Sequence, residues 1–114
     1  MIKGIGVDLV RTERIKQKGF KMAPRILSRK ELFEWQDMSN RDNKHQWLAK
    51  AWAVKEATVK ALGTGFNEEY EPADIEYRSP HVYIKGKKHD GVHLSVSDDG
   101  EYTIAYVIIE SLDD

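Results

Sequence analysis

The chain contains no cysteine in 114 residues, which removes disulfide stapling and any thiolate metal cage and is compatible with a reducing cytosol. It has no apolar run near the roughly 20 residues that span a bilayer, and Met1-Ile2-Lys3-Gly4 starts on a strand-like pattern rather than a signal peptide. A soluble, cytoplasmic protein is expected. Repeats, low-complexity tracts and interdomain linkers are also missing, so residues 1–114 are expected to form one domain. At this size, burial gained by oligomerisation would help stability. No G-x-x-x-x-G-K-[ST] loop is present, which argues against a P-loop phosphotransferase. His93, Ser95 and Ser97 fall on one face of a single expected strand without a nucleophile elbow, which argues against a Ser-His-Asp hydrolase.

Lysine and arginine are absent after Lys88, whereas Asp90, Asp98, Asp99, Glu101, Glu110, Asp113 and Asp114 follow it. Residues 11 to 30 are the reverse, with eight basic side chains (Arg11, Arg14, Lys16, Lys18, Lys21, Arg25, Arg29, Lys30) against Glu13 alone. The formal net charge of -1 conceals this asymmetry. A basic segment on an otherwise acidic chain points to a docking patch for an acidic partner, with an ordinary solvated helix face as the plainer alternative. Nucleic acid is disfavoured, because a pI of about 6.4 lacks the overall basic footprint.

Periodicity places the elements. Ile2, Ile5, Val7, Leu9 and Val10, with Gly4 and Gly6 between them, predict a buried strand open to close approach by another backbone or a ligand. Thr12 is expected to cap a short helix reaching about Met22, which Pro24 interrupts. Ser28-Arg29-Lys30-Glu31 has the capping-box form, with Leu32, Phe33 and Trp35 as the apolar side of the next helix. Strands are expected over 73–78, 81–85, 92–97 and 102–109, joined by short turns into antiparallel meanders.

Between these lies a helix over about 44–62. Leu48, Trp52, Val59 and Leu62 form one stripe at 100° per residue, yet Ala53, Val54, Ala57 and Ala61 occupy the opposite side, so the helix is expected to be buried on most of its circumference. Lys55 falls within the apolar stripe, and Glu56 and Lys60 lie four residues apart on its flank. A helix-stabilising Glu56–Lys60 pair with a snorkelling Lys55 would account for them without any chemistry. Gly63-Thr64-Gly65 ends the helix, either as a cap alone or as a place where backbone amides approach phosphate.

Asp8 on the first strand and Glu56 on the buried helix are carboxylates in apolar surroundings, where an unpaired charge is costly. Mg²⁺ is commonly held by one or two carboxylates together with substrate phosphates, and neighbouring lysines would stabilise charge developing on phosphate oxygens. The set therefore suits phosphoryl-type transfer.

These residues resemble a known family. Gly6-Val7-Asp8 and Trp52-x-x-Lys55-Glu56-x-x-x-Lys60 are similar to the signature of 4′-phosphopantetheinyl transferases, and the similarity to the short bacterial holo-[acyl-carrier-protein] synthases continues through Leu48-Ala49-Lys50, Gly63-Thr64-Gly65, Asp74-Ile75-Glu76 and His93-Leu94-Ser95-Val96-Ser97. The resemblance implies an α+β fold, mainly antiparallel sheet around a long buried central helix, assembling as a homotrimer. It implies transfer of 4′-phosphopantetheine from coenzyme A to a serine of apo-acyl carrier protein, with Asp8 and Glu56 holding Mg²⁺ and Lys60 on phosphate. Lys55, Gly63, Thr64, Gly65, His93, Ser95 and Ser97 would contact coenzyme A, and Glu56 or a metal-associated water would take the serine proton. Arg14, Lys16, Lys18 and Lys21 would dock the acidic carrier protein.

Two positions depart from the common pattern: Ala51-Trp52 stands where many short members have Arg-Phe, and Asp98 where a His is usual. A carboxylate beside a nucleotide phosphate repels it unless it turns outward or meets a cation. The alternative reading is a non-catalytic protein of the same fold that only binds the carrier protein or coenzyme A.

Overall fold

The structure is a computed structural model and describes residues 1–111, so Asp113 and Asp114 of the acidic end lie outside it. Its elements are β1 (Ile2–Arg11), α1 (Thr12–Ile26), α2 (Arg29–Gln36), α3 (Arg41–Leu62), a 3-10 turn (Pro72–Asp74), β2 (Ile75–Arg78), β3 (His81–Ile84), β4 (Lys87–Lys88), β5 (Val92–Asp98) and β6 (Tyr102–Glu110). Two antiparallel three-stranded sheets form, ordered β1-β6-β5 and β2-β3-β4. Only the second is a simple meander. β6 leaves β5 by a tight turn and pairs along its length with β1, joining the two ends of the chain. None of the helices among the described residues is long and apolar enough to cross a membrane.

The α+β architecture centres on α3, which crosses the inner face of the β1-β6-β5 sheet and packs against α1 and β2 on its other sides. Leu48, Ala49, Ala51, Ala53, Val54, Ala57 and Val59 are fully buried, as expected for a helix apolar nearly all round. Its contact with β1 is unusually close. A Cβ at Gly4 would lie 1.8 Å from the Ala61 carbonyl oxygen, and one at Gly6 would lie 1.9 Å from that of Ala57. The expected close backbone approach to β1 is therefore by α3.

Alternation along β1 sends Gly4, Gly6, Asp8 and Val10 toward α3 and Ile5, Val7 and Leu9 to the other face. That outer face is uncovered: Ile5, Val7 and Leu9 are 54, 43 and 61 % exposed, and Ile104 and Tyr106 of β6 join them. β1 is thus buried on one side only within a single chain, which limits the expected burial of this strand to its α3 face.

The helix ends differ in detail from expectation. α1 begins on Thr12 itself, with Arg11 at the N-cap position and no side-chain cap, and the Thr12 amide donates to the Glu101 carbonyl at 2.9 Å. It also runs through Pro24 to Ile26. A proline in the last turn forfeits one amide bond, and the burial of Ile26 and Leu27 holds that turn in place. The Ser28–Glu31 capping box forms, but α2 buries Glu31 and Trp35 and leaves Phe33 75 % exposed. α3 starts at Arg41, where the Asn40 side chain accepts from the Asn43 amide at 3.0 Å, and ends at Gly63 with φ +80°.

Candidate active site

Asp8 and Glu56 meet because β1 and α3 are pressed together two residues earlier, at Gly6. Both carboxylates line one hollow of ≈400 Å³, together with Arg14, Lys18, Met22 and Trp52. Lys60, one turn beyond Glu56, reaches over the strand: its ammonium lies 3.2 Å from Asp8 Oδ1 and donates to the Val7 carbonyl at 3.0 Å. The pair bridges helix to sheet rather than Glu56 to Lys60 along the helix.

Burial raises the pKa of Asp8 from its ordinary value, against the lowering effect of Lys60. Burial also raises that of Glu56, and the Asp8 charge raises it further while Lys60 opposes. A buried pair in which the Asp8 charge disfavours ionisation of Glu56 suits a bound cation. Among the described residues no group of three or more His, Cys, Asp or Glu side chains could hold a metal by itself. Two carboxylates therefore fit a hard divalent cation only if a substrate and water complete its oxygen shell.

Lys55 does not belong to this hollow. Its side chain is fully buried on the far side of α3, 2.7 Å from Glu31 Oε1, and it donates to the Pro72 carbonyl at 3.0 Å and to the Ile75 carbonyl. With all three donors used inside the protein, it has none for a coenzyme A phosphate, which corrects both the contact and the snorkelling expectations. Burial pulls its pKa down, and the Glu31 charge beside it opposes that.

Gly63, Thr64 and Gly65 likewise use their amides locally. Gly63 N–H donates to Lys60 O at 3.0 Å, and Thr64 and Gly65 N–H donate to Val59 O at 3.2 and 3.4 Å. A phosphate could take these amides only by undoing the cap, so the capping role is the one the geometry supports.

His93, Ser95 and Ser97 lie on the outer face of the β1-β6-β5 sheet, in register with Ile108, Tyr106 and Ile104. Within one chain the sheet stands between them and Asp8. His93 Nε2 sits 2.7 Å from Glu110 Oε1.

The docking set divides around α1. Arg14 and Lys18 wall the reaction hollow, and Lys18 and Lys21 continue with Met22, Arg25, Ile26 and Trp52 into an adjoining groove of ≈510 Å³. Lys16 lies elsewhere, with Thr12, Glu13 and Glu101. The spacing carried this signal: Arg14, Lys18, Lys21 and Arg25 follow i, i+4, i+7 and i+11, whereas Lys16 is about 200° round from Arg14. Arg25 was missed for want of that count. Trp52, missed too, separates the hollow from the groove and stacks on Phe66, with ring centroids 5.7 Å apart.

Asp98 faces inward and meets a cation, with Lys50 Nζ 3.3 Å from its Oδ2. Lys50 precedes Ala51, so a charge on the helix compensates the one on the strand.

Comparisons with known proteins agree over nearly the whole length. The family model described as the 4′-phosphopantetheinyl transferase superfamily matches residues 4–107. A holo-[acyl-carrier-protein] synthase of Anaplasma phagocytophilum is 40 % identical, covering 97 % of this chain and 100 % of the relative. That of Bacillus subtilis is 38 % identical, covering 98 % of each. Among solved structures, a holo-(acyl-carrier-protein) synthase of Bacillus anthracis in complex with CoA (3′,5′-ADP) superposes with a TM-score of 0.87 at 34 % identity, covering 97 % of this chain and 98 % of the other. The Helicobacter pylori enzyme in complex with coenzyme A gives 0.73 at 32 % identity, covering 93 % and 99 %.

Proposed function

Because the chain belongs to the 4′-phosphopantetheinyl transferase superfamily, we propose that it transfers 4′-phosphopantetheine from coenzyme A to a serine hydroxyl of apo-acyl carrier protein, releasing adenosine 3′,5′-bisphosphate. One observation carries the assignment of residues: Asp8 and Glu56 share a hollow whose walls include Arg14 and Lys18. Negative oxygen donors at the base and cations at the rim suit a pyrophosphate that is both held and neutralised.

Asp8 and Glu56 would hold Mg²⁺, which when bound supplies charge neutralisation on the pyrophosphate. Lys60 is fixed at the strand edge by Val7 and Asp8 and presents its remaining donor capacity to phosphate. The serine oxygen forms a bond to the phosphorus that carries pantetheine, and the bond from that phosphorus to the bridging oxygen breaks. The electron pair leaves with adenosine 3′,5′-bisphosphate, and the serine proton passes to the Glu56 carboxylate.

The carrier protein docks along α1. Lys18, Lys21 and Arg25 surround an apolar floor of Met22, Ile26 and Trp52, a combination that suits an acidic amphipathic helix. Long-range attraction would chiefly raise the association rate and weaken with salt. His93, Ser95 and Ser97 reach a coenzyme A only from a neighbouring copy, which accords with a homotrimer built on the exposed apolar face of Ile5, Val7, Leu9, Ile104 and Tyr106.

The test is direct. Apo-acyl carrier protein incubated with coenzyme A, Mg²⁺ and this protein should gain the mass of a phosphopantetheine arm, and Asp8→Ala or Glu56→Ala should abolish the gain. Absence of any mass change across several carrier proteins would overturn the transferase reading, and coenzyme A binding without transfer would favour a non-catalytic protein of the same fold.

A further inference from the structure

We infer that the buried Lys55–Glu31 pair is a positioning device for the metal-binding carboxylate Glu56, setting the rotation of α3 that aims it at Asp8. The inference rests on the transfer reading above and deepens it.

Glu56 needs such a device. Asp8 is held by the Lys60 ammonium at 3.2 Å, but among the described residues no hydrogen bond or ion pair is found on the Glu56 side chain. Its direction in the hollow therefore depends on the setting of its helix. On the β1 side of α3 the glycines meet the backbone carbonyls of Ala57 and Ala61, and the directional contact of Lys60 with Val7 and Asp8 is made by a side chain half exposed to water, which can replace a lost partner.

The opposite side carries directional contacts. The Lys55 ammonium engages Glu31 of α2 at 2.7 Å, the Pro72 carbonyl at 3.0 Å and the Ile75 carbonyl, drawing on three separate segments. Glu31 is itself immobilised: its Oε1 accepts from the Ser28 amide at 2.9 Å and its Oε2 from the Tyr77 amide at 2.8 Å. Both side chains are nearly inaccessible, at 0 and 2 % exposure, so water cannot replace a lost partner. Glu56 is the next residue and lies 100° round the axis. Turning α3 to swing Glu56 away from Asp8 would break the Lys55 contacts, whose energies fall steeply with angle.

The test uses the double variant Glu31→Gln/Lys55→Met, which removes both charges at similar volume and leaves no buried ion unpaired. Mn²⁺ is the probe of the two-carboxylate site, its binding read by electron paramagnetic resonance beside thermal melting and steady-state kinetics. The expected result is a cooperative melt, an Mn²⁺ dissociation constant raised about tenfold or more, a lower kcat and an unchanged KM for the carrier protein, because the α1 groove is untouched. A folded double variant with wild-type Mn²⁺ affinity and kcat would overturn the inference. Should the double variant fail to fold, Glu31→Asp, which keeps both charges and only shortens the reach to Lys55, is measured in the same way. A weaker shift in the same direction supports the inference, and an unshifted Mn²⁺ affinity overturns it. A wild-type chain that transfers nothing yet binds Mn²⁺ would fail the functional reading and leave this positioning test standing.

Discussion

Replacing Gly6 by alanine tests the contact on which the site is built. The new Cβ would lie 1.9 Å from the Ala57 carbonyl oxygen, 2.8 Å from the Ala61 nitrogen and 2.9 Å from the Ala57 carbonyl carbon. All three are backbone atoms in the last two turns of a buried helix, so no side chain can swing aside. Relief requires β1 and α3 to part by roughly 1.5 Å to reach ordinary contact distance. Overpacking of this kind costs about 3 kcal/mol or more, which for a domain of this size lowers Tm on the order of 10 °C. The same parting acts on Asp8, two residues along and on the same face, by stretching the Lys60 bonds to Val7 and Asp8 and widening the gap to Glu56. A misplacement near 1 Å costs about 100-fold in rate, so the fraction that still folds should transfer poorly. Melting by circular dichroism and the mass-shift assay at a temperature well below Tm separate the two effects. A Gly6→Ala protein with wild-type Tm and wild-type activity would refute the close-approach account.

Three further outcomes follow from named contacts. Reversing Lys21 and Arg25 together to glutamate should lower kcat/KM for the carrier protein about tenfold, with the loss shrinking as salt rises, whereas Lys16→Glu should change it little because Lys16 faces another hollow. Lys50→Met leaves Asp98 without its cation and should raise KM for coenzyme A by about threefold or more, and adding Asp98→Asn should restore it. An unchanged KM would place Asp98 away from the nucleotide. His45 is buried, has no hydrogen-bond partner on Nε2 among the described residues, and has its pKa lowered by burial and by Arg41, Lys16 and Lys44, against Asp42. The unfolded chain then takes up the proton more readily, so stability should fall as pH drops below about 6.5 and level off once the folded-state value is passed. His45→Gln should flatten that part of the urea midpoint profile, and a wild-type profile already flat there would refute the assignment.

Much of the site was legible as pattern. Asp8 and Glu56 stood out as charges in apolar elements, and Gly4 and Gly6 marked a close backbone approach. The Ser28–Glu31 capping box could be read from four residues, because capping is a local interaction. Lys55 was misassigned because adjacency in a helix was taken as adjacency in a site: one step along the chain is about 100° around the axis, which is enough to turn Lys55 to a different face of α3 from Glu56. Glu31, its partner, looked like a capping residue only, since nothing local announces that a capping carboxylate will also meet a buried ammonium 24 residues away.

By itself the sequence determined the element types, the buried character of α3, the family signature and the identity of the facing carboxylates, because these rest on periodicity, local hydrogen bonding and residue chemistry. Tertiary structure alone decided which charges meet. Lys60 turns to Asp8 across two elements, Lys50 to Asp98, and Lys55 away from the site to Glu31. Those pairings depend on where separate elements come to rest against one another, and short-range pattern carries no record of that distance.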